Sequence, residues 1–253
     1  MAGRRRWSTD EILDAAAELL RTGEADTFSV RKLAAVLGTD SSSLYRHFRS
    51  KTELLRAVAD RVLLAAMDGH RPEGDWKQRI TQLALRVREV FGRQPQLAAV
   101  WGRYASGGAG SRLVVEEVLQ ALRASGLPDE EIPARYHRIA VLIAALVAAE
   151  AGVGTVAPEE REQGMELFRV TVLGADPERF PALAHFARDV RPLGADRRAA
   201  FEEILAAHLD RIEADVRARE APQPEVSPPD ARSAASRADI RRATRFPPAG
   251  AGG

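Results

Sequence analysis

The stretch Phe28 to Leu54, FSVRKLAAVLGTDSSSLYRHFRSKTEL, constrains the fold of this chain more than any other segment. Ser29 is placed to cap a short helix whose Val30, Leu33, Ala34 and Leu37 share one side. Gly38 follows, where a left-handed residue closes a helix. Asp40 can then cap SSSLYRHF, in which Leu44 and Phe48 are spaced for inward packing. Ala34, Gly38 and Leu44 stand where a helix-turn-helix needs a small side chain, a turn and a buried anchor. Such a unit lays its second helix in the major groove of DNA.

The flanking text extends the pattern. Residues 1–7 form a basic arm. Ser8 and Glu11 fit a capping box, and Ile12, Leu13, Ala16, Leu19 and Leu20 make an apolar stripe that runs to about Thr22. Ser50 and Glu53 make a second box, opening a helix that carries Leu54, Leu55, Val58, Val62 and Leu63. It ends near Gly69 to Pro72, a domain seam. Beyond it the periodicity predicts helices over Asp75 to Arg93, from Pro95 through Trp101 and Tyr104, and over Ser111 to Ala124. A flexible SGGAGS separates the last two. Further helices are predicted over Pro133 to Gly152, from Pro158 to about Leu173, from Asp176-Pro177, and over Asp196 to about Arg219. No strand or internal repeat is evident. The fold class is therefore all-α. An N-terminal three-helix DNA-binding domain spans 8–69, and a helical domain spans 70–219. A tail over 220–253, rich in Pro, Ala, Ser and Arg, reads as disordered.

Net charge is +1 over 253 residues, so DNA affinity must come from a few placed groups rather than bulk charge. There is no cysteine, which excludes disulfides, thiolate metal sites and cysteine nucleophiles. The five histidines show no metal-ligand spacing. There is no G-x-S-x-G, P-loop, H-E-x-x-H or nucleotide-binding glycine fingerprint, so neither catalysis nor a cofactor is expected. The N-terminus lacks an apolar signal core, and no apolar run reaches about 18 residues. The expectation is a cytoplasmic protein that does not enter a membrane.

The strings ILDAAAELL, FSVRKLAAVLG and SSSLYRHFRSKTELL resemble the tetracycline-repressor (TetR) family of transcription regulators over roughly residues 8–65. The string LYRHF-x-x-K-x-x-L is specific to that family among helix-turn-helix proteins. The later VVEEVLQALRASG, the long Ala-rich helix and FEEILAAHLDRIEAD are similar, more loosely, to its ligand-binding half. The resemblance implies an all-helical homodimer with DNA-binding heads and an effector-binding body. It also implies ligand-controlled binding to a palindromic double-stranded operator, usually as a repressor.

Several residues can carry the DNA contact. Ser41, Ser42 and Ser43 can approach base edges or phosphates, or merely cap amides. Arg46 can fork onto guanine O6 and N7, or stay solvated. Tyr45 and Lys51 match positions where the family holds phosphates. His47 matches a residue that contacts DNA in the archetype, although a capping or packing role is open to it. Thr27 and Arg31 can anchor the first helix to phosphate. Arg4, Arg5 and Arg6 can enter a minor groove or only add charge.

In the body, Phe91, Trp101, Tyr104, His137, Met165 and Phe168 can surround an apolar effector cavity or belong to ordinary core. The archetype binds a metal-chelated drug through a loop histidine; this chain has SGGAGS there, so magnesium–tetracycline is not expected. The dimer seam is expected on Pro133 to Gly152 and the last helix, packed as a four-helix bundle. Ala144, Ala145, Ala148 and Ala149 permit close approach there, or face the monomer core.

Overall fold

The computed structural model describes residues 6–22, 28–102, 107–154, 156–192 and 195–220. Thr27, Tyr104, Arg4, Arg5 and the tail beyond 220 lie outside the described residues. Every regular element among them is helical: α1 Thr9–Thr22, α2 Val30–Val36, α3 Ser41–Tyr45, α4 Lys51–Met67, α5 Trp76–Gly92, α6 Pro95–Trp101, α7 Ala109–Arg123, α8 Ile132–Gly154, α9 Pro158–Leu173, α10 Pro181–Phe186 and α11 Arg197–Glu220. The contacts divide the chain into one compact unit up to Val216 and a second from Arg217 onward.

Local chemistry explains most helix starts. Ser8 and Glu11 form a reciprocal box, with the Glu11 amide donating to Ser8 Oγ and the Ser8 amide to Glu11 Oε2. The caps of α2, α3, α4 and α5 are Ser29, Asp40, Ser50 and Asp75, each accepting an amide of the first turn. Glu53 departs from the expected box, because its carboxylate accepts the Arg49 amide at 2.6 Å.

Three boundaries differ from the sequence expectation. α3 stops at Tyr45, and Arg46 and His47 form a turn in which the amides of His47 and Phe48 both donate to the Leu44 carbonyl. α7 begins inside SGGAGS, at Ala109. Asp176 does not open a helix; its carbonyl accepts the Phe180 amide in a turn, and α10 starts at Pro181. Ile132–Gly152 is long and apolar enough, on length and composition alone, to cross a membrane, with 22 % of it buried. Arg135, Arg138 and Glu150 interrupt it, so no uninterrupted apolar run of about 18 residues occurs there.

In the first unit, α4 packs against α1, α5, α6 and α7, while α8 packs against α5, α6 and α7. A continuous apolar core runs from Ile12 in α1 through Leu44, Val58 and Phe91 to Phe201 and Leu209 in α11. Half-buried ion pairs stitch the body helices together. Arg79 meets Glu117, Arg88 meets Glu150, and Arg135 meets Asp215. Lys77 bridges Asp210 and Glu213.

His70 and His208 each keep a buried Nε2 with no hydrogen-bond partner among the described residues. Burial pushes the pKa of both below the ordinary histidine value; at His70 Glu117 opposes this while Arg86 and Arg79 reinforce it, and at His208 Arg135 and Arg138 reinforce it. The folded chain thus binds protons less readily than the unfolded chain at these sites. Stability should be full above pH about 6.5 and fall as pH drops below it. The melting temperature should therefore decline between pH 7.5 and 5.5, and replacing both residues by Gln should make that decline shallower. An unchanged slope in the double variant contradicts this assignment.

Candidate nucleic-acid interface and ligand cavity

The turn between α2 and α3 is built by backbone bonds that the sequence dictates. Gly38 adopts φ +62°, and the Thr39 amide donates to the Ala34 carbonyl at 2.9 Å while the Gly38 amide donates to Ala35 at 3.1 Å. This pair of bonds is a Schellman closure, which needs a residue in the left-handed region. Ala34 and Leu44 are 3 % and 2 % exposed, so the two helices are fixed by a small contact and a deep anchor. α3 is thereby held with the side chains between Leu44 and Phe48 facing solvent.

The sequence-derived contact residues take the following places. Tyr45 is 48 % exposed. Arg31, Arg46, His47 and Lys51 are also exposed. Ser42 donates to Asp40 Oδ1, the same oxygen that accepts the Ser43 amide, so two of the three serines take part in capping. Ser42 Oγ retains its lone pairs for a donor on a base edge. Arg46 donates to Ser43 Oγ at 2.9 Å, which holds the guanidinium along α3. His47 Nδ1 lies 3.2 Å from Thr9 Oγ, linking the end of α3 to the start of α1.

Lys51 opens α4, yet its ammonium donates to the Phe28 carbonyl at 2.7 Å and lies 5.6 Å from the Phe28 ring centre. It is therefore a tie between α4 and the entry to α2, with two further N–H donors left for an anion. The sequence carries no sign of that internal role, because Phe28 is 23 residues away.

The body holds a half-open cavity of about 540 Å³ between α4, α5, α6, α7 and α8. None of the described residues lining it carries a formal charge; its polar groups are Trp101, Ser111, Tyr136 and His137. Burial raises the Tyr136 pKa, so its hydroxyl stays protonated and able to donate. Of the sequence candidates, Trp101 and His137 line the wall. Phe91 is fully buried and stacks on Trp101 at 4.3 Å, so it supports the wall from behind. Met165 and Phe168 lie on α9 and are not among the lining residues. Ala144, Ala145 and Ala148 line the cavity, and Ala149 is exposed. Leu63, Ser111 and Tyr136 are lining residues absent from the sequence candidates.

Two family profiles match the chain. Residues 12–58 match "Bacterial regulatory proteins, tetR family", and residues 68–216 match "Tetracyclin repressor-like, C-terminal domain". The HTH-type transcriptional repressor DrrR1 of Streptomyces coeruleorubidus is 30% identical over 124 residues, covering 49% of this chain and 46% of that protein. The match thus spans about half the length of that relative. The HTH-type transcriptional repressor Rv1353c of Mycobacterium tuberculosis (strain ATCC 25618 / H37Rv) is 27% identical over 215 residues, covering 79% of this chain and 78% of that protein. A crystal structure from Streptomyces coelicolor A3(2), described as a candidate transcriptional regulator, is 74% identical with a TM-score of 0.73. The match covers 83% of this chain and 99% of that one.

Lys51→Ala removes the bond to Phe28 and should lower stability by about 1 kcal/mol in urea unfolding, without any DNA present. Lys51→Arg should recover part of that loss. Unchanged unfolding midpoints for Lys51→Ala contradict the structural tie.

Proposed function

This chain belongs to the tetR family of bacterial regulatory proteins, and we propose that it is a cytoplasmic repressor that binds a palindromic operator as a homodimer and leaves it when an apolar effector enters the body. Residues 8–69 serve as the DNA-binding head and 70–219 as the effector-binding and dimerisation body. The observation that carries the reading is the α2–α3 turn, closed at Gly38 and capped by Asp40, which leaves Ser42 and Tyr45 exposed on the short α3 and Arg46 and His47 exposed in the turn that follows it.

In this reading Arg46 forks onto a base edge and Ser41, Ser42 and Ser43 complete the close approach to the groove floor. Tyr45 and the remaining donors of Lys51 hold phosphates, with Thr27 and Arg31 anchoring α2. One head makes too few contacts for a stable complex. A two-fold axis doubles them and requires symmetric half-sites.

The surface supports a second copy. α8 carries an uninterrupted apolar run from Ile139 to Ala149, in which Ala149 is exposed and lies off the cavity wall. Leu167, Val170 and Leu173 on α9, and Phe186 on α10, are 48–69 % exposed. Apolar area of that extent is stable in water only when covered. Pairing of α8 and α11 with their mates, α9 and α10 alongside, covers it.

The uncharged wall of the cavity selects the effector. A charged molecule would lose its hydration and find no counter-charge among the described lining residues. A neutral, mainly apolar molecule fits 540 Å³ and can hydrogen-bond with Tyr136 and His137. Because operator spacing is fixed, a ligand that favours a tilted α4 moves the heads out of register and releases DNA.

Selection of bound fragments from random duplex DNA tests the reading, and should enrich a two-fold symmetric sequence. On that sequence, replacing Tyr45 by Phe and Lys51 by Ala together should weaken binding to all variants and reduce the log–log salt slope by about 1–2. Arg46→Ala should instead relax preference at one position per half-site by about tenfold. Uniform weakening by Arg46→Ala, with preference intact, removes its base contact.

A further inference from the structure

Asp60 sits in the middle of α4, yet its carboxylate serves another helix. It accepts the Gly110 amide at 3.2 Å and the Ser111 amide at 2.8 Å. These are first-turn donors of α7, which have no partner within their own helix. The residue at the cap position of α7, Gly108, has no side chain to supply one. The cap of α7 is therefore delivered across the interface by α4.

The approach is possible only because of two glycines. A Cβ at Gly108 would overlap the Asp60 carboxylate. A Cβ at Gly110 would overlap the Asp60 carbonyl oxygen and the Leu64 amide nitrogen. At Gly110 the first turn of α7 thus rests directly on the α4 backbone, and at Gly108 on the Asp60 carboxylate.

The same two segments wall the cavity. Ser111, whose amide Asp60 accepts, lines it from α7, and Leu63 lines it from α4. The residue after Asp60 faces the head: Arg61 pairs with Asp10 at 2.7 Å and Asp14 at 2.8 Å on α1. Consecutive side chains of one helix therefore grip the cavity wall and the head. A shift of the α7 turn by about 1 Å is enough to stretch the Ser111 bond beyond hydrogen-bonding range.

We infer that Asp60 is the positioning residue that couples occupancy of the cavity to the head, by holding the first turn of α7 on α4 beside the Arg61 link to α1. This rests on the reading of the cavity as the effector site. A ligand that pushes on Ser111 and Leu63 works against the Asp60 cap. α4 then follows α7, and Arg61 carries the movement to α1. Without the carboxylate the wall moves independently of the head.

The probe for the test is N-phenyl-1-naphthylamine, an uncharged apolar fluorophore, used with the full chain. Its fluorescence reports binding, and Ala144→Trp, which fills the cavity, should abolish the signal. Absence of binding, or binding unaffected by Ala144→Trp, overturns the cavity reading and this inference with it. Amide exchange is then followed in residues 9–14 and 51–58, remote from the cavity wall. In the wild type, saturation with the probe should change exchange there by about threefold or more. Asp60→Ala should bind the probe within about twofold of wild type yet lose the change in the head, while Asp60→Asn, which keeps an acceptor oxygen, retains at least about half of it. Gly108→Ala, whose methyl displaces the same carboxylate, should behave as Asp60→Ala and replaces it if that variant loses its cooperative melt. A head that does not respond in the wild type, or responds equally in Asp60→Ala or Gly108→Ala, overturns the role of Asp60 and leaves the cavity reading standing.

Discussion

Helix α4 belongs to both halves of the molecule, and every functional statement depends on how it is held. Its first residue, Lys51, is bonded to the Phe28 carbonyl, and Arg61 is paired with α1. Its other end is held by the body: Arg86 of α5 donates to the carbonyls of Ala66 and Asp68 at the α4 C-terminus. Those carbonyls lack intrahelical donors, and a guanidinium is favoured there by the helix dipole. A single rod of 17 residues, about 25 Å long, thus carries head contacts at one end and body contacts at the other.

The head itself is small, and its chemistry is correspondingly economical. Three side chains set the geometry of the reading helix: Ser29, Asp40 and Leu44, with Gly38 supplying the turn. The exposed groups that remain are polar, few and close in sequence. Such a surface can position itself on a phosphate backbone but gains little affinity alone, since each phosphate contact contributes through counterion release. In the proposed reading affinity comes from repetition by symmetry, which the exposed Leu167, Val170 and Leu173 of α9 and Phe186 of α10 favour on independent grounds.

What was legible in the sequence was local. The Ser8–Glu11 box and the caps Ser29, Asp40, Ser50 and Asp75 each depend on a side chain reaching an amide about three residues away, so their spacing announces them. The start of α7 is hidden because its cap is Asp60, 50 or 51 residues distant, and Gly108 and Gly110 of SGGAGS look like a loop when they are a close-packing surface. The cavity is hidden for a related reason. Large aromatic side chains serve core and cavity alike, so Phe91 and Trp101 cannot be told apart by pattern although one is buried behind the other. Much of the wall is instead made by small residues such as Ala84, Ala140 and Ala144, whose contribution is the space they leave. The exposed positions of the head are nearer to the legible case, since α3 is short and they adjoin the buried Leu44. The tie of Lys51 to Phe28 is not.

The most direct test of the central claim is the stoichiometry and footprint of the full chain on its selected duplex. Sedimentation should give two chains per duplex, and hydroxyl-radical and methylation protection should mark two major-groove segments separated by about one helical turn, 10–10.5 base pairs, or a multiple of it. One chain per duplex, or protection confined to the minor groove, would contradict a paired, α3-led mode of binding.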